Sequence, residues 1–412
     1  MVTVFGLGFV GLTTALGFAH MGHKVYGIDI DTERMETLRS GKIPFHEMYM
    51  EEELQKHIGK NIILENDIEA AVADSEYIYY CVGTPYGQNG SADLKYLFSA
   101  IDMTIDAIKD DKKRILVTKS TIPPLTTKEK IIPYVQNKGT VSKNISIANN
   151  PEFLREGHCW EDFINSDRVV CGCSDEYAAE KLRELYSSMD VPVFTVSLST
   201  GEFIKYLSNT LLATLISYSN EMAEAADNFG DIDVATSFKI LHMDRRWNDC
   251  DMTSYVYPGC GYGGYCLPKD TCAFYAQSTE KGFVPEILGK VIKTNESRTM
   301  VMVNKILQKL GDRNKVGVLG LSFKPNSDDV RDTPAARIIR ELAKENVEIT
   351  AYDPVAVGEF RKRYPDIKIL FCNQAEDVCN ANDVIVIATA WDEFKKIDFT
   401  GKDVIDCRYM LD

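Results

Sequence analysis

The chain has no CxxC pair, although it carries 11 cysteines. The two that stand nearest in sequence, Cys171 and Cys173, are one residue apart. That is neither a secreted disulfide framework nor metal-ligand spacing, so a reducing cytoplasm is expected, with most cysteines acting as small buried hydrophobes. Histidine is scarce too. The six histidines show no metal-ligand pattern, and His20 with His23 reads as a helix end. Basic charge is not in excess: 46 Lys and Arg face 61 Asp and Glu, a net charge of -15. This argues against nucleic acid as a partner but leaves room for a local small-anion site. No apolar run approaches the roughly 20 residues of a membrane span. Met1 leads into Val2-Thr3-Val4-Phe5 without a basic leader, so neither membrane insertion nor secretion is expected. Low-complexity segments and flexible linkers are also missing.

What is present is a globular composition, 45% hydrophobic and 26% charged, over 412 residues. That length exceeds one ordinary core, so two or three domains are expected. Val2–Phe5 reads as a buried strand, followed by a glycine turn, a helix from about Val10 to Met21 and the strand Val25–Asp29. Further strands are expected at 77–82, 115–118 and 145–148, each ending in a loop rich in Gly, Pro, Thr or Asn. Ser199-Thr200-Gly201-Glu202 reads as a capping box opening a long helix to about Asn228. More helix is expected from Ile232 to about Leu241 and, past a glycine-rich loop, to about residue 308. Near Lys315 the opening pattern returns, with Val316–Gly320, a helix at 334–345, and strands at 347–353 and 383–388. The expected architecture is α/β: two Rossmann-like doubly wound domains, 1–196 and 309–412, joined by a helical region over 197–308.

Gly6-Leu7-Gly8-Phe9-Val10-Gly11 is a GxGxxG string between a strand and a helix. Gly6 permits the turn, Gly8 lets backbone approach a pyrophosphate, and Gly11 lets helix and strand pack, with the helix N-terminus drawing the phosphates. Asp29 ends the second strand, 18 residues after Gly11. A carboxylate there accepts from both ribose hydroxyls and repels a 2′-phosphate, which favours NAD over NADP. Asp31 is the alternative ribose ligand.

The most informative segment is Gly259-Cys260-Gly261-Tyr262-Gly263-Gly264-Tyr265-Cys266-Leu267-Pro268-Lys269-Asp270. Its glycines let backbone come close to a ligand, and a cation near Cys266 favours the nucleophilic thiolate. On these residues alone, a structural turn beside a buried cysteine is equally open.

Gly261 to Asp270 resembles the catalytic-cysteine motif of the UDP-glucose/GDP-mannose dehydrogenase family. The resemblance extends through Lys119-Ser120-Thr121-Ile122-Pro123, the run Asn150 to Gly157, Glu202 to Asn209, Phe323 to Arg331 and Tyr352-Asp353-Pro354. It covers essentially the whole chain, and Asn150–Gly157 is more like the UDP-glucose branch. The resemblance implies oxidation of a UDP-sugar 6-alcohol to a carboxylate by two NAD, through a thioester on Cys266. It implies Lys205 and Asn209 at the developing oxyanion, and Asp270, Glu152, Glu156 and Thr121 holding water or relaying protons. It implies NAD contacts at Val10, Arg34, Thr84, Thr121, Glu156, Lys269 and Arg331. Substrate contacts are implied at Glu152, Phe153, Leu154, Arg155, Glu156, Lys205, Asn209 and Gly263, with Lys324 and the loop Tyr255 to Gly259 taking the UDP part. No metal is implied. A homodimer through the central helices and a place in polysaccharide biosynthesis also follow from it.

The chain departs from the family where an arginine usually precedes the cysteine, in a segment reaching the sugar of a neighbouring subunit. That place holds Cys250-Asp251-Met252, and Arg245 or Arg246 is expected to substitute. Cys260 stands where an aromatic residue is frequent; packing is expected of it rather than pairing with Cys266. The rival readings are the same chemistry on GDP-mannose or a UDP-N-acetylhexosamine, a one-step 2-hydroxyacid-type dehydrogenase, and a non-catalytic nucleotide-binding protein.

Overall fold

The computed structural model describes residues 1–64, 67–87, 90–139, 143–244 and 255–411, the Asn228 side chain excepted. The chain forms two compact units, Met1–Ser208 and Asn209–Asp412.

The first unit is built on an eight-stranded sheet. Its strands are β1 (Val2–Phe5), β2 (Val25–Ile28), β3 (Ile62–Leu64), β4 (Tyr77–Tyr80), β5 (Arg114–Thr118), β6 (Ile145–Asn149), β7 (Val169–Cys173) and β8 (Val193–Ser197). Their order is β3-β2-β1-β4-β5-β6-β7-β8. Every pairing is parallel except β6 with β7, where Ala148 faces Cys173 and Asn149 faces Gly172. Alternation sorts the strand residues onto two faces. Val2, Val4, Tyr77 and Tyr79 join one core with Leu12, Leu16 and Phe18, while Phe5, Ile78 and Tyr80 join another with Leu97 and Ile101. Both faces are therefore covered, as a parallel sheet requires.

The second unit carries a five-stranded parallel sheet. Its strands are β9 (Lys315–Leu319), β10 (Glu348–Tyr352), β11 (Leu370–Phe371), β12 (Val384–Ile387) and β13 (Asp403–Asp406). The order is β11-β10-β9-β12-β13, and Val316, Val318, Val384 and Val386 again face one core while Leu319, Ile385 and Ile387 face another. Long helices Leu198–Phe229, Cys266–Glu280 and Glu286–Leu310 carry most of the chain between the sheets.

One local expectation is corrected. The long helix begins at Leu198, so Ser199 to Glu202 lie within its first turn and form no capping box. The cap is Ser197, whose hydroxyl accepts from the Thr200 N–H at 3.2 Å. The strand β8 runs straight into the helix, and the last strand residue does the capping. Glu202 instead accepts from the Thr127 N–H at 2.7 Å. Among the described residues, no helix is long and apolar enough to cross a membrane.

Candidate active site

The glycine turn after β1 is set by steric limits. Gly6 has φ +86°, and a Cβ there would meet the Cys81 carbonyl oxygen at 2.8 Å. A Cβ on Gly11 would fall 1.6 Å from the Gly6 oxygen, so helix and turn can pack only as glycines. In front of Gly8, by contrast, nothing lies within 4 Å of a built Cβ. Gly8 caps the helix Phe9–His20 with no side-chain hydrogen bond. The positive helix end thus faces open space at Gly8, which fits a dinucleotide pyrophosphate. Asp29 lies just past β2. It accepts the Leu7 N–H at 2.6 Å and the Asp31 N–H at 2.9 Å, and pairs with Arg34 at 2.9 Å. Asp31, the more exposed of the two, caps the helix Thr32–Arg39, so both acidic candidates for the ribose are engaged within the protein. Val10 is half-buried on the same helix as Gly11.

Along the carboxyl ends of β4, β5 and β6 the structure gathers a second group. The Thr84 hydroxyl donates to the Thr121 carbonyl at 3.0 Å. Lys205 Nζ lies 2.8 Å from Glu152 Oε1, with both side chains buried. The other Glu152 oxygen accepts from the Leu154 N–H at 2.6 Å. Burial alone would raise the Glu152 carboxyl, but Lys205, this N–H and Lys119 outweigh it and hold the group below its usual range. Lys205 also lies over the Phe153 ring, 5.6 Å from its centre. A cavity of about 10 Å³, close to the room one water needs, is lined by Thr121, Glu202 and Lys205 among others. Arg155 stands apart, exposed and paired with Asp162 at 2.7 Å, and Glu156 is half-buried.

In the second unit, Cys266 opens the helix Cys266–Glu280 and is half-buried, not sealed in a core. The helix N-terminus favours negative charge on its sulfur. One turn on, Asp270 is fully buried between two donors, Lys269 and the Asn209 amide, the latter at 2.6 Å. Burial opposes a charge on Lys269, but the neighbouring Asp270 carboxylate outweighs it and the Lys269 ammonium is held above its usual range. Tyr265 receives two cations on its ring, Arg331 at 4.4 Å and Lys269 at 5.5 Å from the centre. Asp329 holds Arg331 at 2.7 Å. Gly259 and Gly263 are buried, Tyr255 is half-buried, and the half-buried Lys324 lies 5.5 Å from the centre of the Phe323 ring. Cys260 is buried, its thiol directed to the Ala388 carbonyl at 3.6 Å, which is packing as expected. Arg245 and Arg246 lie outside the described residues.

Models of the UDP-glucose/GDP-mannose dehydrogenase family match the NAD binding domain over residues 1–190, the central domain over 199–297 and the UDP binding domain over 317–412. The UDP-glucose 6-dehydrogenase AglM of Haloferax volcanii is 32% identical over 406 residues, 96% of this chain and 93% of that one. The UDP-glucose 6-dehydrogenase YwqF of Bacillus subtilis is 34% identical over 417 residues, 100% of this chain and 92% of that one. The solved structure of a UDP-glucose dehydrogenase from the archaeon Pyrobaculum islandicum matches with a TM-score of 0.94 at 34% identity, covering 99% of this chain and 94% of that one. The chain belongs to this family.

As a member of the UDP-glucose/GDP-mannose dehydrogenase family it is an NAD-dependent oxidoreductase of nucleotide sugars. Three residues near the proposed centres were not singled out as site residues from the sequence. Lys119 is buried and donates to Asn150 at 2.9 Å; burial pulls its ammonium below its ordinary range. Glu202 and Tyr265 are the others. Lys119 and Glu202 lie inside family-like motifs, and Tyr265 directly precedes the cysteine, so position in the motif was the available signal.

Proposed function

We propose that the enzyme oxidises UDP-glucose to UDP-glucuronate, in two hydride steps joined by a covalent bond to Cys266. The observation that carries this is a half-buried cysteine at a helix N-terminus, directly after a glycine-rich loop and one turn before a buried Lys269–Asp270 pair. The names of the relatives support the sugar.

NAD, when bound, supplies the hydride acceptor, held by the Gly6–Gly11 turn and by Asp29. In the first step the sugar 6-hydroxyl loses its proton to a base and its carbon loses a hydride, which gives the aldehyde. The Cys266 thiolate then adds to that carbon. The resulting thiohemiacetal loses a second proton and a second hydride to become a thioester. Water displaces the sulfur, leaving a carboxylate and the restored thiol. The balance is one sugar, two NAD⁺ and one water giving one carboxylate, two NADH and three protons. Lys205 is assigned to stabilise the oxyanion with Asn209 donating beside it. Thr121 and Glu152 are assigned to hold water and relay protons, and Asp270 to hold Asn209 and Lys269 in place.

A homodimer is part of this reading. The helix Leu198–Phe229 exposes Phe203, Leu207, Leu211, Tyr218 and Met222 at helical spacing, an apolar stripe of the kind that a second copy covers. A reactive thiol and dependence on NAD support the cytoplasm as its location.

The test is NADH yield on a panel of nucleotide sugars with Cys266→Ser beside the native enzyme. Two NADH per UDP-glucose are expected, with turnover lost in the variant by at least ~10³-fold while the sugar still binds. Unchanged two-step turnover in Cys266→Ser overturns the covalent role. A preference for another nucleotide sugar overturns the substrate.

A further inference from the structure

Away from these groups, the first unit holds a cluster that the reaction does not use. His20 ends the helix Phe9–His20, while Glu53 and His57 lie four residues apart on the helix Met50–His57 and so share one face. The two helices meet: the Thr13 hydroxyl on one reaches the Met50 sulfur on the other at 3.5 Å. Glu53 is the common partner. His20 Nδ1 is 3.4 Å and His57 Nε2 is 3.6 Å from the same oxygen, Oε2. Lys56 donates to the other oxygen, Oε1, and so fixes the carboxylate.

Hydrogen bonding explains this arrangement poorly. Both contacts are longer than the roughly 2.7–3.2 Å of a good N–H···O bond, and two imidazoles converge on one oxygen atom. Metal ligation explains it better. Ligands about 2.0–2.1 Å from a tetrahedral zinc stand roughly 3.3 Å apart. One donor atom from each of the three residues lies within 4.8 Å of the others. The two contacts to Glu53, 3.4 and 3.6 Å, are already within a few tenths of an ångström of the zinc spacing, and the imidazole nitrogens, within 4.8 Å of each other, close on the ion by side-chain rotation. Glu53 is buried, which limits competition from water, and His20 is half exposed, which gives an ion a way in and leaves room for a water ligand. Two imidazoles and one carboxylate suit zinc and neighbouring transition metals rather than magnesium or calcium.

We propose that His20, Glu53 and His57 bind one divalent transition-metal ion, zinc foremost, as a clip between the two helices. Nothing in the spacing announces it, since His20 lies 33 residues from Glu53. The helix that ends at His20 is the one whose start faces the proposed pyrophosphate site, so the ion would brace the dinucleotide-binding unit from its far end.

The test is calorimetric titration of EDTA-stripped, reduced full-length enzyme with zinc chloride, repeated with His20→Ala, His57→Ala and Glu53→Gln. One ion per chain is expected. Each replacement should weaken binding by at least ~10-fold. Zinc should raise the thermal midpoint of the native enzyme but not that of His57→Ala. Cobalt(II) in the same site should show visible ligand-field bands without thiolate charge-transfer bands. His20→Ala removes a half-exposed side chain, so it stays informative even where a buried replacement unfolds the protein. Equal zinc affinity in His20→Ala and the native enzyme overturns the proposal, as do thiolate bands in the cobalt spectrum.

Discussion

Arg298 donates its Nε–H to the Gly259 carbonyl at 2.7 Å, inside the second unit and out of contact with water. Two more side chains grip the same loop. Asn220 accepts the Gly259 N–H at 2.6 Å, and Asn295 bonds both the N–H and the carbonyl of Tyr262, at 2.8 and 3.1 Å. A glycine-rich loop has little side-chain packing of its own to fix its path. Here the path is set by buried polar groups on the helices Leu198–Phe229 and Glu286–Leu310.

Replacing Asn295 with Ala should therefore loosen the approach to Cys266. Two buried backbone groups lose their partner, at about 1–3 kcal/mol each. Lower stability in denaturant titration is expected, together with a fall in kcat larger than the rise in KM and a changed rate of Cys266 alkylation. A variant that only lost stability, with native alkylation and kcat, would show that the clamp is structural alone.

The buried Lys205–Glu152 pair separates stability from chemistry. Lys205→Met leaves a carboxylate buried without its cation, at about 3–5 kcal/mol, and removes the group assigned to the oxyanion, at about 10²–10³-fold in kcat. The double variant Lys205→Met with Glu152→Gln should recover most of the stability and none of the turnover. Recovery of both by the double variant would reduce the pair to scaffolding.

Asp29 holds Arg34 as well as the turn. In Asp29→Ser the carboxylate that repels a 2′-phosphate is gone and the guanidinium is released. NAD should bind ~10-fold or more weakly, from a lost charge-assisted bond of about 1.5–3 kcal/mol. The ratio of kcat/KM for NADP over NAD should rise. An unchanged ratio would move the discrimination elsewhere.

Glu202 gives the first unit a pH signature. Its carboxyl is pushed up to about 7, chiefly by burial and with help from Glu129, against hydrogen bonds from Thr127 and Leu125. The native state thus keeps a proton that the unfolded chain sheds above its ordinary value of 4.5. The stability linked to this group is complete below about 4.5 and is lost as pH rises through about 7. The loss amounts to about 3 kcal/mol at most, from some 1.4 kcal/mol per pKa unit. Denaturant titrations at pH 5 and pH 8 should show a larger decline in the native protein than in Glu202→Gln. Parallel declines would remove Glu202 as the source.

Much of this was legible in the residues themselves. The Gly6–Gly11 turn is dictated by contacts of a few ångströms within the motif, and local sequence encodes local contacts well. The strands β1, β2, β4, β5, β6, β9, β10 and β12 announce themselves as apolar runs, whereas the short β3 and β11, the half-buried β13 and the buried β7, whose run is broken by Gly172 between two cysteines, do not. β8 was not seen, because it is half exposed along its length and Phe194 faces solvent. The capping box was misplaced for the same reason: with no visible strand before it, Ser197 had no claim to be the cap. Lys205 with Glu152, and Asn209 with Asp270, are joined across 53 and 61 residues. Periodicity carries no information about such pairs.

The one antiparallel pairing in the eight-stranded sheet has a topological result. β6 climbs to the ligand-binding rim; β7 and β8 run the opposite way. Because β6 and β7 overlap only at Ala148–Cys173 and Asn149–Gly172, Ser197 at the end of β8 stands beside Cys173, and the long helix starts next to the carboxyl end of β6, where the Asn149 amide donates to the Leu198 carbonyl at 2.8 Å. Two turns of helix, about 10 Å, then carry the chain from beside Asn149 to Lys205, whose ammonium meets Glu152 three residues beyond Asn149.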